Sequence, residues 1–283
     1  MGFVAVPRMD AMMHLGEAMA GDTRDVKRIA VGTAAIAVIL LVWELVVDVG
    51  IVPNFMLPSP VQVVTALVRD APLIAGHSLT TLIEAFIGLA IGVVVGFVVA
   101  ILVDRFEIVS NALSPIITMS QTVPTVAIAP LLVLWFGYGL TPKILLVVIS
   151  TFFPITVSVV GGFRSVDPDL LDLMRVMGAT RSQIFWRVKV PAAAEEFFSG
   201  LKISATYAIV GAVVAEWLGG TSGLGVYMTR VRKSFSYDRM FAAIIVISAC
   251  SVLLMGAVGA IERLAMPWKH VRDERRKIGS PNV

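Results

Sequence analysis

Six stretches of this chain stay apolar long enough to cross a lipid bilayer, and that property alone removes most fold classes. They are read at residues 29–47, 79–103, 112–136, 144–162, 197–218 and 241–262. Backbone in hydrocarbon must satisfy its own N–H and C=O groups, so each run is expected to form a helix. The expected fold is therefore all-α, a polytopic membrane protein with six transmembrane helices. Composition agrees: 15% of residues are charged, where soluble domains carry roughly 25%, and the mean hydropathy is +0.88. The expected organisation is a leader at 1–28, a membrane domain at 29–263 with one long polar loop at 163–196, and a basic tail at 264–283. Little chain is left over for a soluble catalytic domain.

Orientation follows from Lys and Arg. With the N-terminus placed in the cytoplasm, the segments on that side hold sixteen of the 23 basic residues. The opposite segments hold Arg69, Lys143, Arg230, Arg232, Lys233 and Arg239, and Lys202 lies just within the fifth run. This asymmetry puts both termini in the cytoplasm. The four cations before the sixth run oppose the trend and are read as the solvated face of a short outer helix. The leader is polar and Met-rich (Met9, Met12, Met13, Met19), and the first apolar run starts only near Ile29, so a cleaved signal peptide is not expected. Cys250 is the only cysteine, which leaves no intrachain disulfide. The tail segment HVRDERRK at 270–277 suits anionic lipid better than nucleic acid.

One polar segment is unusually well punctuated: DPDLLDLMRVMGATRSQIFWRVKVP, from Asp167 to Pro191. Asp167 is a natural N-cap, Pro168 suits the first helical position, and Asp169 complements the positive helix end. Gly178 supplies the left-handed residue that stops the helix. Thr180 with Gln183 forms a capping-box start for a second helix, and Pro191 marks the return to membrane helix. Two short helices meeting at a glycine on the inner side are what a docking partner would need.

The same residues carry a resemblance. Gly178, then nine residues, then Val188-x-Val190-Pro191 is similar to the cytoplasmic coupling motif of bacterial ABC importer permeases. Asp172-Leu173-Met174 stands where that motif has Glu-Ala-Ala; the acid is kept in shorter form and both alanines are larger. The resemblance extends from about Leu57 to Arg263 through LPSP at 57–60, SQTVPTVAIAPLLVLWFGYG at 120–139 and AEWLGGTSGLG at 215–225. It is to the nitrate, sulfonate, taurine and pyrimidine-precursor branch. The resemblance implies the type I importer permease fold, in the bacterial inner membrane. It further implies a pathway formed with a second copy of the permease, two ATP-binding subunits on the inner face, and an extracytoplasmic solute-binding protein. ATP-Mg would be bound by the partner subunits, and no cofactor is expected in this chain. The segments SQTVPTVAIAP and FGYGLTPK are most similar to permeases for thiamine-pyrimidine precursors or riboflavin, with nitrate, sulfonate and taurine as the alternative. The expected coupling residues are Leu171, Asp172, Met174, Arg175, Gly178, Arg181, Phe185 and Pro191, of which Asp172, Met174, Gly178 and Pro191 fall on the motif. Leu171, Met174 and Phe185 are the expected apolar anchors. Arg175 and Arg181 either pair with acids of the ATP-binding subunit or remain solvated.

Within the membrane, Gly88, Gly92, Gly96 and Ala100 recur every four residues and line one helical face. Such a face allows close backbone approach between helices, read mainly as packing within the chain. Glu84 lies one turn before it, near the expected outer boundary. The third run contains Pro115, Pro124 and Pro130, so its helix is expected to be distorted at 121–125. Irregular backbone at that depth is tolerated where it is buried or lines a watery cavity. Ser120, Gln121 and Thr122 at the break therefore either line the pathway or bond between helices. Thr206, Tyr207 and Glu216 are the further pathway candidates; Glu216, beside Trp217, either contacts substrate or anchors and gates the outer end.

No catalytic constellation competes. The chain has no G-x4-G-K-[ST] phosphate loop and no H-E-x-x-H, and His14, His77 and His270 are too scattered to predict a metal site. A non-catalytic subunit is expected. An intramembrane enzyme would need paired polar residues deep in facing helices, and a stand-alone secondary transporter would need inverted repeats with midplane acids; the sequence displays neither.

Overall fold

The computed structural model describes residues 30–120 and 124–267. The leader, the basic tail from residue 268 onward, Gln121 and Thr122 lie outside these residues. The chain divides into two compact units, residues 1–66 and 67–283. The first contains α1 (Ala30–Asp48), long and apolar enough to cross a membrane, with the Trp43 indole donating to the Pro58 carbonyl at 3.1 Å. Helix α2 (Pro60–Arg69) runs across the boundary; its start is capped reciprocally, Ser59 N–H to Gln62 Oε1 at 3.0 Å and Gln62 N–H to Ser59 Oγ at 3.3 Å.

The second unit is built from α3 (Ala71–Arg105), α4 (Glu107–Ser120), α5 (Thr125–Phe136), α6 (Leu140–Arg164), α7 (Pro168–Val176), α8 (Arg181–Ile184), α9 (Val190–Leu218), α10 (Leu224–Lys233) and α11 (Tyr237–Ala265). No strand occurs among the described residues. The expected third span, 112–136, is not one helix. It is divided into α4 and α5, with Pro124 extended at φ −66°, ψ 114° ahead of α5. Proline restricts the residue before it and donates no backbone hydrogen bond, so the helix ends rather than bends. Five of the described helical runs are long and apolar enough to span: α1, α3, α6, the continuous run Arg181–Leu218, and α11. A sixth crossing would have to be made by α4 and α5 together.

A second departure concerns Pro191. It lies in the first turn of α9, as the expected return to membrane helix requires, but α8 already runs into α9 through one wide turn at Phe185–Lys189. There the Val190 N–H bonds to the Phe185 carbonyl, five residues back instead of four. This wider turn accommodates the Pro191 ring, which would otherwise collide with the carbonyl four residues earlier. The helical run that contains the expected fifth span, 197–218, therefore begins sixteen residues earlier, at Arg181.

The core is the contact of α6 with α9 and with α3. Small residues allow it. A Cβ on Gly88 would collide with Val147, one on Gly92 with Thr151, and one on Gly96 would sit 2.7 Å from the Phe152 carbonyl oxygen, all on α6. The glycine face is thus spent on packing within the chain, as its spacing suggested. Hydroxyls bond across the same seams: Thr156 Oγ1 to the Gly96 carbonyl at 3.2 Å, and Ser204 Oγ to the Thr151 carbonyl at 2.9 Å. At the other end Phe97 packs edge-on against Phe163 and Phe197, and Phe163 meets Phe185 at 5.4 Å.

Candidate functional site

Two polar constructions stand out in the second unit. The first is the arm 165–190. Asp167 Oδ1 accepts from the Asp169 N–H at 2.9 Å, with Pro168 in the first turn of α7. Gly178 has φ +80°, and the Ala179 N–H returns to the Met174 carbonyl at 3.0 Å, so the left-handed residue closes the helix end. Thr180 and Gln183 then cap each other reciprocally at 2.8 and 3.3 Å. Every cap read from the sequence is present.

The faces differ from expectation. Phe185 turns inward, onto Phe163 and the core between α3, α6 and α9; its position at the wide turn points it back toward the bundle. Leu171 and Met174 are half-buried. The exposed apolar surface of the arm instead consists of Leu170, Leu173, Val176, Met177 and Trp186, with Val176 86% and Met177 74% exposed. The Arg175 guanidinium bonds Asp172 at 2.5 Å within α7, both side chains exposed. Arg181 and Pro191 are exposed. Near the base of the arm, Lys189 pairs with Asp104 at 2.7 Å, tying the wide turn to the end of α3.

The second construction lies where α3 begins and α9 ends. His77, Thr81 and Glu84 occupy one face of α3, in line with the glycines that follow. Glu216 is buried at the end of α9, accepting from Thr81 Oγ1 at 2.7 Å and from the Gly225 N–H at 2.6 Å. The Leu224 N–H donates to Thr81 Oγ1 at 2.9 Å, and the Gly223 N–H to His77 Nδ1 at 3.0 Å. Helix α10 starts at Leu224, so these three N–H groups are the orphan donors of its first turn. They are capped by side chains of α3 and α9, not by a local residue. Gly223 (φ +117°) leaves room for the Glu216 carboxylate, which a Cβ there would strike. Glu84 is also buried, and Lys143 reaches it from the first turn of α6 at 2.6 Å. Farther along α10, the Tyr227 hydroxyl donates to Asp70 at 3.0 Å, and burial together with that carboxylate holds the phenol above its usual pKa. Asp70 also pairs with Arg239 at 3.0 Å.

A cleft of about 690 Å³ opens beside this cluster, lined by Glu84, Lys143 and Glu216 and by Tyr138, Trp217 and Thr221. Of the pathway candidates whose side chains are described, Glu216 alone reaches it. Thr206 and Tyr207 are exposed on α9, away from it. The side chain of Ser120 lies outside the described residues. The sequence left Glu84 to reach either water or a partner; it is 2% exposed and takes the partner, Lys143. Sequence reasoning dismissed His77 as scattered. The available signal was the spacing of His77, Thr81 and Glu84, four and three residues apart, on the face that the glycines extend.

The comparisons with known proteins converge. The family described as binding-protein-dependent transport system inner membrane component matches residues 71–266. The chain is 36% identical over 232 residues to the formylaminopyrimidine transport permease protein of Halalkalibacterium halodurans, covering 82% of this chain and 92% of that one. It is 32% identical to the riboflavin transport system permease protein of Chloroflexus aurantiacus, covering 85% and 91%. It is 31% identical to the taurine transport system permease protein of Escherichia coli, covering 86% and 90%. Among solved structures, an inward-facing methionine ABC transporter matches with a TM-score of 0.59 at 20% identity, over 68% of this chain and 95% of that one. At that identity the likeness concerns the fold, which is that of a type I importer permease.

Proposed function

We propose a pathway-forming and coupling role for this chain, starting from the family to which it belongs: the binding-protein-dependent transport system inner membrane components. It is a multi-pass inner-membrane permease of an ABC importer. In this reading two copies enclose the pathway, each receives one ATP-binding subunit on its arm at 165–190, and a solute-binding protein delivers substrate at the opposite face. Both termini then face the cytoplasm. The observation that carries the reading is the continuity of the run from Arg181 to Leu218. One helical element joins the capped arm to Glu216 at the cleft, so displacement of the arm is transmitted as a rigid-body movement rather than absorbed in a loop.

For substrate we propose an uncharged or weakly charged heterocycle of the pyrimidine-precursor or riboflavin type. The relatives that transport formylaminopyrimidine and riboflavin support this. So does the cleft: its one cation among the described residues, Lys143, is engaged by Glu84 and not free for an anion. Taurine is the competing substrate. The deciding experiment reconstitutes the permease with its ATP-binding subunits and binding protein in liposomes. Uptake of a labelled aminopyrimidine that requires ATP and the binding protein is expected. ATP-independent uptake would defeat the coupling role, and uptake of taurine alone would defeat the substrate assignment.

A further inference from the structure

The cluster at the start of α3 holds one hydrogen-bond acceptor too many. Glu84 Oε1 receives the Lys143 ammonium at 2.6 Å. Glu84 Oε2 is fully enclosed and has no donor. The Glu84 carboxyl group lies within hydrogen-bonding reach of the Glu216 carboxyl group. Glu216 meanwhile accepts on both oxygens, from Thr81 Oγ1 and from the Gly225 N–H. An ionised carboxylate can only accept, so two of them cannot satisfy each other across such a contact. Both side chains are 2% exposed, and an acceptor left unpaired at that depth is costly.

We propose that Glu84 and Glu216 share one bound proton, and that this proton is what latches the connection 219–223 and the first turn of α10 onto α3. With the proton on Glu216, its O–H donates to Glu84 Oε2 while its two oxygens keep the bonds from Thr81 and Gly225. Glu84 remains ionised against Lys143. The trio then carries one positive charge, one negative charge and one neutral acid, so no unbalanced charge is buried. Without the proton, two carboxylates share a single ammonium. The anion left over is the group that caps α10. Release of the proton would therefore loosen the connection at the cleft mouth.

The other polar groups around the pair are neutral or engaged. From α3, His77 accepts the Gly223 N–H through an unprotonated Nδ1. From α10, Tyr227 is bonded to Asp70 and Arg230 to the Thr221 carbonyl at 2.8 Å. Tyr138, on the connection between α5 and α6, packs against Gly219. Lys143 is the one cation in contact with either carboxylate among the described residues.

The test uses the permease assembled with its ATP-binding subunits in detergent. Infrared spectra of wild type and Glu216→Gln at neutral pH should differ by the carbonyl stretch of a neutral carboxylic acid, shifted in D2O. Glu84→Gln should lose the same band, because Glu216 is then free to ionise against Lys143. If neither variant folds, the band in the wild-type spectrum at mildly alkaline pH decides. A second readout is the thermal midpoint against pH. In the unfolded chain both carboxyls are ionised above about pH 4.3. The native state then binds one proton more, so its stability falls as pH rises. The wild-type midpoint should fall relative to Glu216→Gln by roughly 3 °C per pH unit across the window in which the native proton is kept. His77 is common to both proteins and cancels. Absence of the carbonyl band, parallel pH profiles, or a wild-type midpoint that depends on sodium or potassium instead of pH would overturn the proposal, the last in favour of a metal cation.

Discussion

At the residue scale, two classes of glycine are separated by what a side chain would meet. On α3, a Cβ at Gly96 would sit 2.7 Å from a backbone carbonyl and 3.0 Å from Ile155 Cγ2, whereas Gly76 has nothing within 4 Å. Gly96→Ala should therefore force α3 away from α6 and cost about 1–3 kcal/mol. Gly76→Ala should gain about 0.5–1 kcal/mol, since alanine has less backbone freedom to lose. Opposite shifts of the thermal midpoint in detergent check the pair; equal shifts would contradict the packing argument. Gly178 belongs to neither class. Its surroundings are open, and only its φ of +80° requires glycine. Gly178→Val should leave the bundle intact but strain the turn by about 1–2 kcal/mol, because a β-branched residue disfavours the left-handed region. The expected outcome is retained ATP hydrolysis with uptake reduced severalfold in liposomes. Normal uptake would show that the turn's geometry is not used in coupling.

At the element scale, the arm at 165–190 separates into an inward and an outward face. Leu173 and Val176 point into solvent on α7, 55% and 86% exposed. Leu173→Asp with Val176→Asp should release the ATP-binding subunit during co-purification and change the permease's own midpoint little. Phe185→Asp should do the reverse. It places a charge among Phe163, Phe197 and the α3–α9 core, with an expected cost of about 3 kcal/mol or more. Loss of the subunit from Phe185→Asp in a fully folded permease would mean that Phe185, not α7, is the anchor. The hydrophobic pattern alone could not distinguish these residues. A nine-residue amphipathic helix at a membrane surface has two apolar options, the bundle and a partner, and only the path of the chain decides between them.

At the scale of the whole molecule, the division of the third apolar run into α4 and α5 controls the count of crossings. If the two halves together cross once, the chain has six crossings and both termini share a side. Cysteines placed at Gln121 and Thr122, in a Cys250→Ala background, would then lie at membrane depth. They should react with membrane-impermeant thiol reagents if the break opens onto the pathway, with reactivity that changes when ATP is bound. Inertness in every nucleotide state would assign them to packing between helices. A single break of this kind is where irregular backbone is tolerated only by virtue of what surrounds it.

The sequence by itself determined most of what depends on neighbours along the chain. Apolar length required spanning helices, the Asp167, Thr180 and Gln183 caps and Gly178 shaped the arm, and the four-residue recurrence of Gly88, Gly92 and Gly96 announced a close helix contact. Proline spacing predicted an interruption at 121–125, where Pro124 is extended ahead of α5. What the sequence left open were pairings between residues far apart in it. Lys143 read as a cation on the outer side, yet it is buried against Glu84, 59 positions away. The first turn of α10 has no local cap, because Thr81, His77 and Glu216 supply one from two other helices. The wide turn before Pro191 joined two elements that the sequence separated. Local rules act through hydrogen bonds within one turn of helix, and these signals are written in the sequence. A buried charge takes its partner from whichever helix the packing brings near, and that choice was made only when α3, α6 and α9 came together.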